Sequence, residues 1–255
     1  MPPLPEYSLS GKVAVLYTAG GDEAPVLAQA LAEAGAAVFT IARRQTLLEP
    51  VLAGLKQYPG EHAGIAADVG GGSPSELLRA MDAFGGSHDQ VDILVNDVRS
   101  MLAKPLSDIS IEEWDQIQSR NVRAVFVLCQ ELGQRMRERG YGRIVNLVSI
   151  LAERGMVNGS AFAASQAAVL SLTRSLAVEL GASNIRVNAL GTGWTTAEDI
   201  PLEVQQEELL VRYTPLRRKG HPRDVGPLLV YLASEACDYT TGQPVYVDGG
   251  LNAHP

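Results

Sequence analysis

The sequence predicts an α/β fold: a Rossmann-like, doubly wound parallel β-sheet with helices on both faces, in a single domain. Short β-rich runs alternate with amphipathic helical stretches along the chain, and this alternation is typical of a parallel sheet. The 255 residues are 46% hydrophobic and 20% charged, which is enough apolar sequence to bury a full core. Because no internal repeat or linker interrupts the alternation, residues 1–255 are predicted to form one domain.

The predicted strands are short runs rich in β-branched and other apolar residues. They are Val13–Tyr17, Ala37–Ile41, Ile93–Val95, Ile144–Val148, Val187–Leu190 and Val245–Val247. Between them, apolar residues recur at helical spacing over Val26–Ala34, Ile111–Arg139 and Phe162–Leu180. Gly181 is predicted to end the last of these helices, because glycine readily takes the left-handed conformation found at helix C-termini.

Composition excludes several classes of partner. The net charge of -8 and the pI near 5.1 argue against nucleic acid and anionic membranes. No run approaches membrane-spanning length, and residues 1–8 lack the basic and apolar regions of a signal peptide, so they are predicted to be a disordered lead-in. Cys129 and Cys237 are too few for a disulfide framework or a metal site, which favours a reducing, cytoplasmic location.

The stretch from Gly142 through Ser149 to Leu180 resembles the catalytic core of the short-chain dehydrogenase/reductase family, and the resemblance extends over residues 8–253. That family has a tyrosine thirteen positions after the serine and a lysine four further on. This chain has Phe162 and Gln166 there. In the family the tyrosine exchanges a proton with the substrate while a hydride moves to or from a nicotinamide, and the lysine lowers the tyrosine pKa. Phe162 and Gln166 can do neither, and whether they are natural or engineered stays open.

Two other positions match the family's catalytic set. Ser149 matches the substrate-orienting serine, and as a lone hydroxyl without a visible base it is not predicted to be a nucleophile. Asn121 matches the asparagine that supports the family's water and lysine relay. With Gln166 in place of the lysine, a purely structural, helix-bending role for Asn121 is the alternative.

The first strand-to-helix turn gives a mixed cofactor signal. Gly20 and Gly21 permit the tight turn at which this fold binds a pyrophosphate. The four defining positions of the family's T-G-x-x-x-G-x-G pattern, however, hold other residues, namely Tyr17, Thr18, Asp22 and Ala24. Carboxylates at Asp22 and Glu23 complement the helix dipole and repel phosphate. A self-capped helix is therefore favoured over a phosphate-binding turn.

Other residues favour NADP(H). Arg43 and Arg44 follow the second strand, where the resemblance implies a site for the 2′-phosphate. Asp68 matches a residue that contacts adenine, and Asn96 and Gly193 match cofactor-side positions of the family. NADP(H) is therefore the expected cofactor, with the alternative that no nucleotide binds.

Two residues are candidates for a ligand pocket. Arg99 lies where the family has a small residue, and its guanidinium suits a carboxylate or phosphate; an ion pair with Asp97 or a solvent-facing side chain is the alternative. Trp194 is a candidate pocket wall. Residues 195–215 correspond to the mobile segment that covers the substrate in the family.

The C-terminal part, from Gly220 to Gly250, closely resembles the region with which the family builds dimers and tetramers. The resemblance therefore implies a homo-oligomer, either a dimer or a homotetramer, that binds a small molecule. A hetero-oligomer with an active relative is a second possibility.

Three functions follow from these residues. The favoured one is a degenerate family member without conventional redox catalysis, acting as a ligand-binding protein or partner subunit. The first alternative is an NADPH-dependent carbonyl reductase or alcohol dehydrogenase with an atypical active site. The second is a non-redox enzyme similar to the halohydrin dehalogenases, which residues 197–199 and 236–239 resemble. That group keeps a tyrosine and an arginine where this chain has Phe162 and Gln166.

Overall fold

A computed structural model of the protein describes residues 4–71 and 91–253, and within these ranges seven parallel strands form one sheet. Along the sheet the order is β3-β2-β1-β4-β5-β6-β7. The strands are β1 (Val13–Thr18), β2 (Ala37–Ala42), β3 (His62–Ala66), β4 (Ile93–Asp97), β5 (Gly142–Ser149), β6 (Ile185–Thr192) and β7 (Pro244–Val247). The order reverses direction between β1 and β4, which opens a crevice at the carboxyl ends of the strands.

Helices cover both faces of the sheet. They are α1 (Glu23–Glu33), α2 (Gln45–Leu55), α3 (Ile111–Gln118), α4 (Ala124–Arg139), α5 (Ser160–Leu180), α6 (Leu202–Gln205), α7 (Leu209–Tyr213) and α8 (Gly226–Ala233). Side chains alternate along β1, so that Val15 packs with the core on the α4 and α5 side and Leu16 packs with the core on the α1 and α8 side. Both faces of the sheet are buried, and the sequences of its strands are therefore continuous apolar runs. The predicted fold class is confirmed.

Three local features differ from the sequence prediction. The pattern did not identify β3, whose five residues include one β-branched side chain. The predicted helix over Ile111–Arg139 is divided into α3 and α4 by a π-helical turn at Ser119–Arg123. Gly181 follows the last residue of α5, as predicted, but it is not in a left-handed conformation. Its φ is -58°, a 3-10 turn continues to Ser183, and Asn184 takes the left-handed conformation instead, with φ 62°.

The helical stretch Ser160–Ser183 is long and apolar enough, by length and composition alone, to cross a membrane. The sequence expectation that no run approaches that length is therefore wrong. This is weak evidence for a membrane, because the stretch contains α5, which packs against β5 and β6 and buries Val169, Leu170 and Ala177 in the core. A core helix of a globular protein meets the same criterion.

The N-terminal residues pack beside α8. Residues 1–3 of the predicted lead-in lie outside the described ranges, whereas Pro5–Tyr7 form a 3-10 turn. The ring of Tyr7 lies 6.2 Å from that of Tyr231, which is on α8.

Candidate functional site

The candidate site is a cavity of about 250 Å³ in the crevice at the carboxyl ends of β1, β4, β5 and β6. Ligands bind at this position in doubly wound sheets. Its walls include Gly21, Arg99, Ser149, Phe162 and Trp194. The topology thus brings together residues that the sequence analysis selected from distant parts of the chain.

The turn after β1 is tight and tied to the end of β4. Gly20 and Gly21 have φ values of 97° and 100°, which glycine adopts without strain. Thr18 Oγ1 accepts a hydrogen bond from the Gly20 amide at 2.9 Å and donates one to Asp97 Oδ2 at 2.9 Å. The expected self-capping is not observed, because the side chain of Asp22 makes no capping hydrogen bond to α1.

Arg99 is the centre of a charged network that spans the cavity. Its guanidinium pairs with Asp97, with Nη2 at 2.7 Å from Oδ1, and also pairs with Glu23 on the first turn of α1. It donates a further hydrogen bond to Thr192 Oγ1 at the end of β6. Thr195 Oγ1 donates to the other oxygen of Glu23 at 2.7 Å. Arg99 therefore joins β4, α1 and β6, and the predicted pairing with Asp97 is only one of its contacts.

Burial and charge act on this network in opposite directions. Burial alone would lower the pKa of Arg99, but the Asp97 and Glu23 carboxylates raise it, so the guanidinium stays charged. For Asp97, burial and the nearby Glu23 carboxylate raise the pKa more than Arg99 lowers it. The carboxylates of Asp97 and Glu23 thus share the Arg99 cation in a partly desolvated part of the cavity.

Phe162 and Gln166 lie one turn apart on α5, and both are buried. The ring of Phe162 packs with Ile150, Leu151 and Leu251. Gln166 Oε1 accepts a hydrogen bond from the Ser149 amide at 2.9 Å, whereas its Nε2 is buried without a partner among the described residues. Gln166 therefore fixes the backbone at Ser149.

Asn121 lies in the π-helical turn between α3 and α4. Its Oδ1 accepts from the Ser100 amide at 2.9 Å, and its Nδ2 donates to the Ser100 carbonyl at 2.9 Å and to Ser165 Oγ at 2.9 Å. Asn121 thus holds the loop after β4 against α5. These contacts correspond to the structural alternative for this residue.

Asn96 lies in the core and is fully buried. Its Nδ2 donates to Asn146 Oδ1 at 2.8 Å and contacts Cys129 Sγ at 3.6 Å, while Asn146 Nδ2 donates to Thr173 Oγ1 at 2.9 Å. Burial, partly offset by the bond from Asn96, raises the pKa of Cys129 to about 12, so its thiol stays protonated. The side chain of Asn96 supports β4 and β5 from beneath the cavity.

The residues predicted to hold the adenosine end of NADP(H) follow β2 and β3. Arg43 is half-buried and Arg44 is exposed, and neither forms a salt bridge with another described residue. Asp68 is exposed, and its Oδ1 accepts from the Gly71 amide at 3.3 Å. Two guanidinium groups without described carboxylate partners suit a phosphate monoester.

Gly193 and Trp194 follow β6. A Cβ at Gly193 would lie 2.8 Å from the Asp248 backbone, so glycine allows β6 and β7 to end close together. Trp194 lines the cavity and also a second one of about 260 Å³, whose walls include Leu151, Met156 and Tyr213. The indole Nε1 of Trp194 is buried without a partner among the described residues. Trp194 therefore forms a wall shared by both cavities.

The predicted substrate-covering segment, residues 195–215, contains the short helices α6 and α7. Leu210 and Tyr213 of α7 line the second cavity and are 40% and 58% exposed, so apolar surface on this segment faces open space. A larger cavity of about 700 Å³ lies between the N-terminal turn, α1 and α8, and its walls contain none of the predicted site residues.

Comparison with known proteins identifies the family. A family model described as enoyl-(acyl carrier protein) reductase matches residues 24–252. The 2-dehydro-3-deoxy-D-gluconate 5-dehydrogenase of Bacillus subtilis is 34% identical over 248 residues, which cover 96% of each chain. The chain belongs to the short-chain dehydrogenase/reductase family.

Two further relatives of this short-chain dehydrogenase/reductase are similar over the whole chain. The D-threitol dehydrogenase of Mycolicibacterium smegmatis is 29% identical over 96% of this chain and 94% of its own. The crystal structure of a gluconate 5-dehydrogenase from Burkholderia cenocepacia in complex with NADP and tartrate has a TM-score of 0.86 at 26% identity, and the match covers 98% of each chain.

These relatives contradict the favoured sequence interpretation. The prediction of a degenerate family member with a ligand-binding or partner-subunit role is wrong, because relatives matching over nearly their whole length are named as dehydrogenases. They favour instead the alternative of an oxidoreductase.

Proposed function

We propose that this short-chain dehydrogenase/reductase is an NADP(H)-dependent carbonyl reductase or alcohol dehydrogenase with an atypical active site. The observation that carries the proposal is the similarity, over nearly the whole chain, to proteins named as dehydrogenases. When bound, the cofactor supplies a hydride to the carbonyl carbon or accepts one from the carbinol carbon. With one proton from the medium, a ketone and NADPH give an alcohol and NADP⁺.

The residues present fit this cofactor at both of its ends. Arg43 and Arg44 would hold the 2′-phosphate, and Asp68 lies where the adenine is expected. At the other end Gln166 Nε2, which is buried without a partner among the described residues, would donate a hydrogen bond to a ribose hydroxyl. An orphaned buried donor is costly, and a ligand oxygen would relieve that cost.

Ser149 would position the substrate oxygen. Its Oγ accepts from the Leu151 amide at 3.2 Å, and the hydroxyl hydrogen can still be donated to a carbonyl oxygen in the cavity. Phe162 beside it cannot release a proton, so the proton that completes the alcohol comes from water through the open side of the cavity. This relay is slower than transfer from a tyrosine by roughly two to four orders of magnitude.

The substrate body would occupy the second cavity. Leu151, Met156, Leu210 and Tyr213 make its walls largely apolar, although Arg154 lies among them. A ketone or secondary alcohol with an apolar body fits these walls better than a polyol does. We also propose a cytoplasmic homo-oligomer, in agreement with the two buried, unpaired cysteines and the C-terminal resemblance.

Calorimetric titration with NADPH and NADH, followed by a ketone panel, tests this function. We expect NADPH to bind more tightly, and Arg43→Ala to weaken its binding about 10- to 100-fold through loss of a charge-assisted contact. The panel would pair apolar cyclic ketones with keto sugar acids. Ser149→Ala should abolish turnover, whereas Ser107→Ala at an exposed turn should not. Absence of binding by both nucleotides would overturn the proposal.

A further inference from the structure

Glu23 occupies an unusual place for a carboxylate. It is the first residue of α1, yet it is only 7% exposed, and both of its carboxylate oxygens are held inside the cavity. One pairs with Arg99, and the other accepts from Thr195 Oγ1 at 2.7 Å. A negatively charged group of the chain itself thus sits on the cation of the cavity.

The local charges do not balance. Among the described residues lining this cavity, Arg99 is the one cation, against the carboxylates of Asp22, Glu23 and Asp97. Asp97 alone would neutralise Arg99, since its carboxylate accepts from both Nε and Nη2, at 3.1 and 2.7 Å. Glu23 is therefore the surplus anion on Arg99.

The two carboxylates differ in their freedom to leave. Asp97 has a short side chain at the end of β4, is 2% exposed and is also held by Thr18. Glu23 has one more rotatable bond and follows the exposed Gly21 and Asp22, so a rotamer change can carry its carboxylate out of the cavity. Of the two carboxylates on Arg99, only that of Glu23 can be replaced by a ligand anion without moving a strand.

We propose that Arg99 and Thr195 form an anion-binding site that Glu23 occupies in the ligand-free protein, and that a diphosphate-bearing ligand displaces the Glu23 carboxylate. This inference rests on the proposed function in naming the dinucleotide diphosphate as the displacing group. Only the fraction of molecules in which the Glu23–Arg99 ion pair is open can bind the ligand. The apparent affinity is therefore lowered in proportion to that fraction. For one charged hydrogen-bonded contact, that factor is about tenfold.

Calorimetry with two probes, inorganic pyrophosphate and NADPH, tests the exchange. Glu23→Gln should raise the affinity for both probes about tenfold. Glu179→Gln is the matched control, because it makes the same substitution at an exposed position near the C-terminal end of α5, outside the cavity lining, and it should change affinity less than about threefold. Arg99→Gln should abolish pyrophosphate binding.

A second variant guards against misfolding of the first. Glu23→Asp keeps every charge and shortens the side chain that reaches Arg99 and Thr195, so a smaller rise in affinity for both probes is expected. Circular dichroism would confirm that each variant is folded. Equal affinities for Glu23→Gln and Glu179→Gln would overturn the proposal.

The two probes separate this inference from the proposed function. Pyrophosphate bound more tightly by Glu23→Gln, with no variant binding NADPH, would support the exchange site and refute the nicotinamide-dependent function. NADPH bound equally well by the unaltered protein and Glu23→Gln would support that function and refute the exchange. If neither probe bound any variant, both proposals would be refuted.

Discussion

Two polar networks meet at strand β4 of this sheet, one in the core and one in the cavity. The core network joins Asn96, Asn146 and Thr173 through neutral hydrogen bonds, and all three side chains are fully buried. The cavity network joins Asp97, Arg99 and Glu23 through charges and lies beside solvent, with the Arg99 side chain 17% exposed. Asn96 and Asp97 are adjacent in sequence but belong to different networks.

The difference follows from the alternation of side chains along β4. Asn96 lies over the core, where a neutral amide is tolerated, because an isolated charge would be too costly to bury. Asp97 lies at the strand end, where its carboxylate pairs with Arg99, whose side chain borders solvent. The core network therefore fixes strand positions, whereas the cavity network can exchange a partner for a ligand.

The largest expected effect is on turnover and comes from two substitutions beside the cavity. Phe162→Tyr combined with Gln166→Lys should raise the turnover number by roughly two to four orders of magnitude, because it supplies a general acid and a cation that lowers its pKa. Steady-state oxidation of NADPH with a saturating ketone would measure the gain. Phe126→Tyr, on the exposed side of α4, is the matched control and should leave turnover unchanged. An unchanged rate in the double variant would mean that proton transfer does not limit catalysis.

Arg99→Met should break the cavity network. It leaves Asp97 and Glu23 facing each other without a cation, and we expect a loss of about 3 kcal/mol in the free energy of unfolding. Urea denaturation would measure it, with the exposed Arg212→Met as a control expected to stay within about 0.5 kcal/mol. A loss below about 1 kcal/mol would show that hydration of the two carboxylates offsets the loss of their cation.

Asn146→Ala should break the core network. The amide of Asn96 and the hydroxyl of Thr173 would lose their partner, and the expected cost is about 2 kcal/mol in the free energy of unfolding. NADPH affinity should change less than twofold, because this network does not reach the ligand. A large fall in affinity with unchanged stability would contradict the separation of the two networks.

The smallest expected effect is a pH dependence from Asp97. Its pKa is raised in the folded protein, chiefly by burial, so the folded state binds this proton more tightly than the unfolded state does. Its contribution to stability is therefore full below the ordinary aspartate pKa and declines as the pH rises through the folded-state value. Asp97→Asn should remove this decline in denaturation curves recorded from about pH 4 upward. If stability depended on pH in the same way in the variant and in the unaltered protein, the assignment of this dependence to Asp97 would be contradicted.

Most of the fold was predictable because strand and helix periods are local. Runs such as Ile144–Val148 need only their own side chains to indicate a buried strand. β3 could not be identified from its sequence because glycine and alanine dominate it. Its strand conformation depends on pairing with β2. The π-helical turn at Ser119–Arg123 also escaped prediction, since the buried side chain of Asn121 and its bonds to distant residues define it.

The site was predictable only in part. Ser149, Arg99 and Trp194 do line one cavity, as position in the family pattern suggested. The contact of Glu23 with Thr195, however, joins residues 172 positions apart, and neither residue type nor spacing signals it. Asp22 and Glu23 were interpreted as helix-capping residues, but only the three-dimensional arrangement reveals that Glu23 is directed to Arg99.

The most direct test of the central claim is transfer of deuterium from NADPH labelled at C4 of the nicotinamide to a ketone, followed by mass spectrometry of the alcohol. Both C4-labelled stereoisomers would be supplied separately to the unaltered protein. The account predicts that one isomer delivers deuterium to the carbinol carbon and that Ser149→Ala does not support this transfer. Alcohol without deuterium from either isomer, or no alcohol above a heat-denatured control, would contradict it.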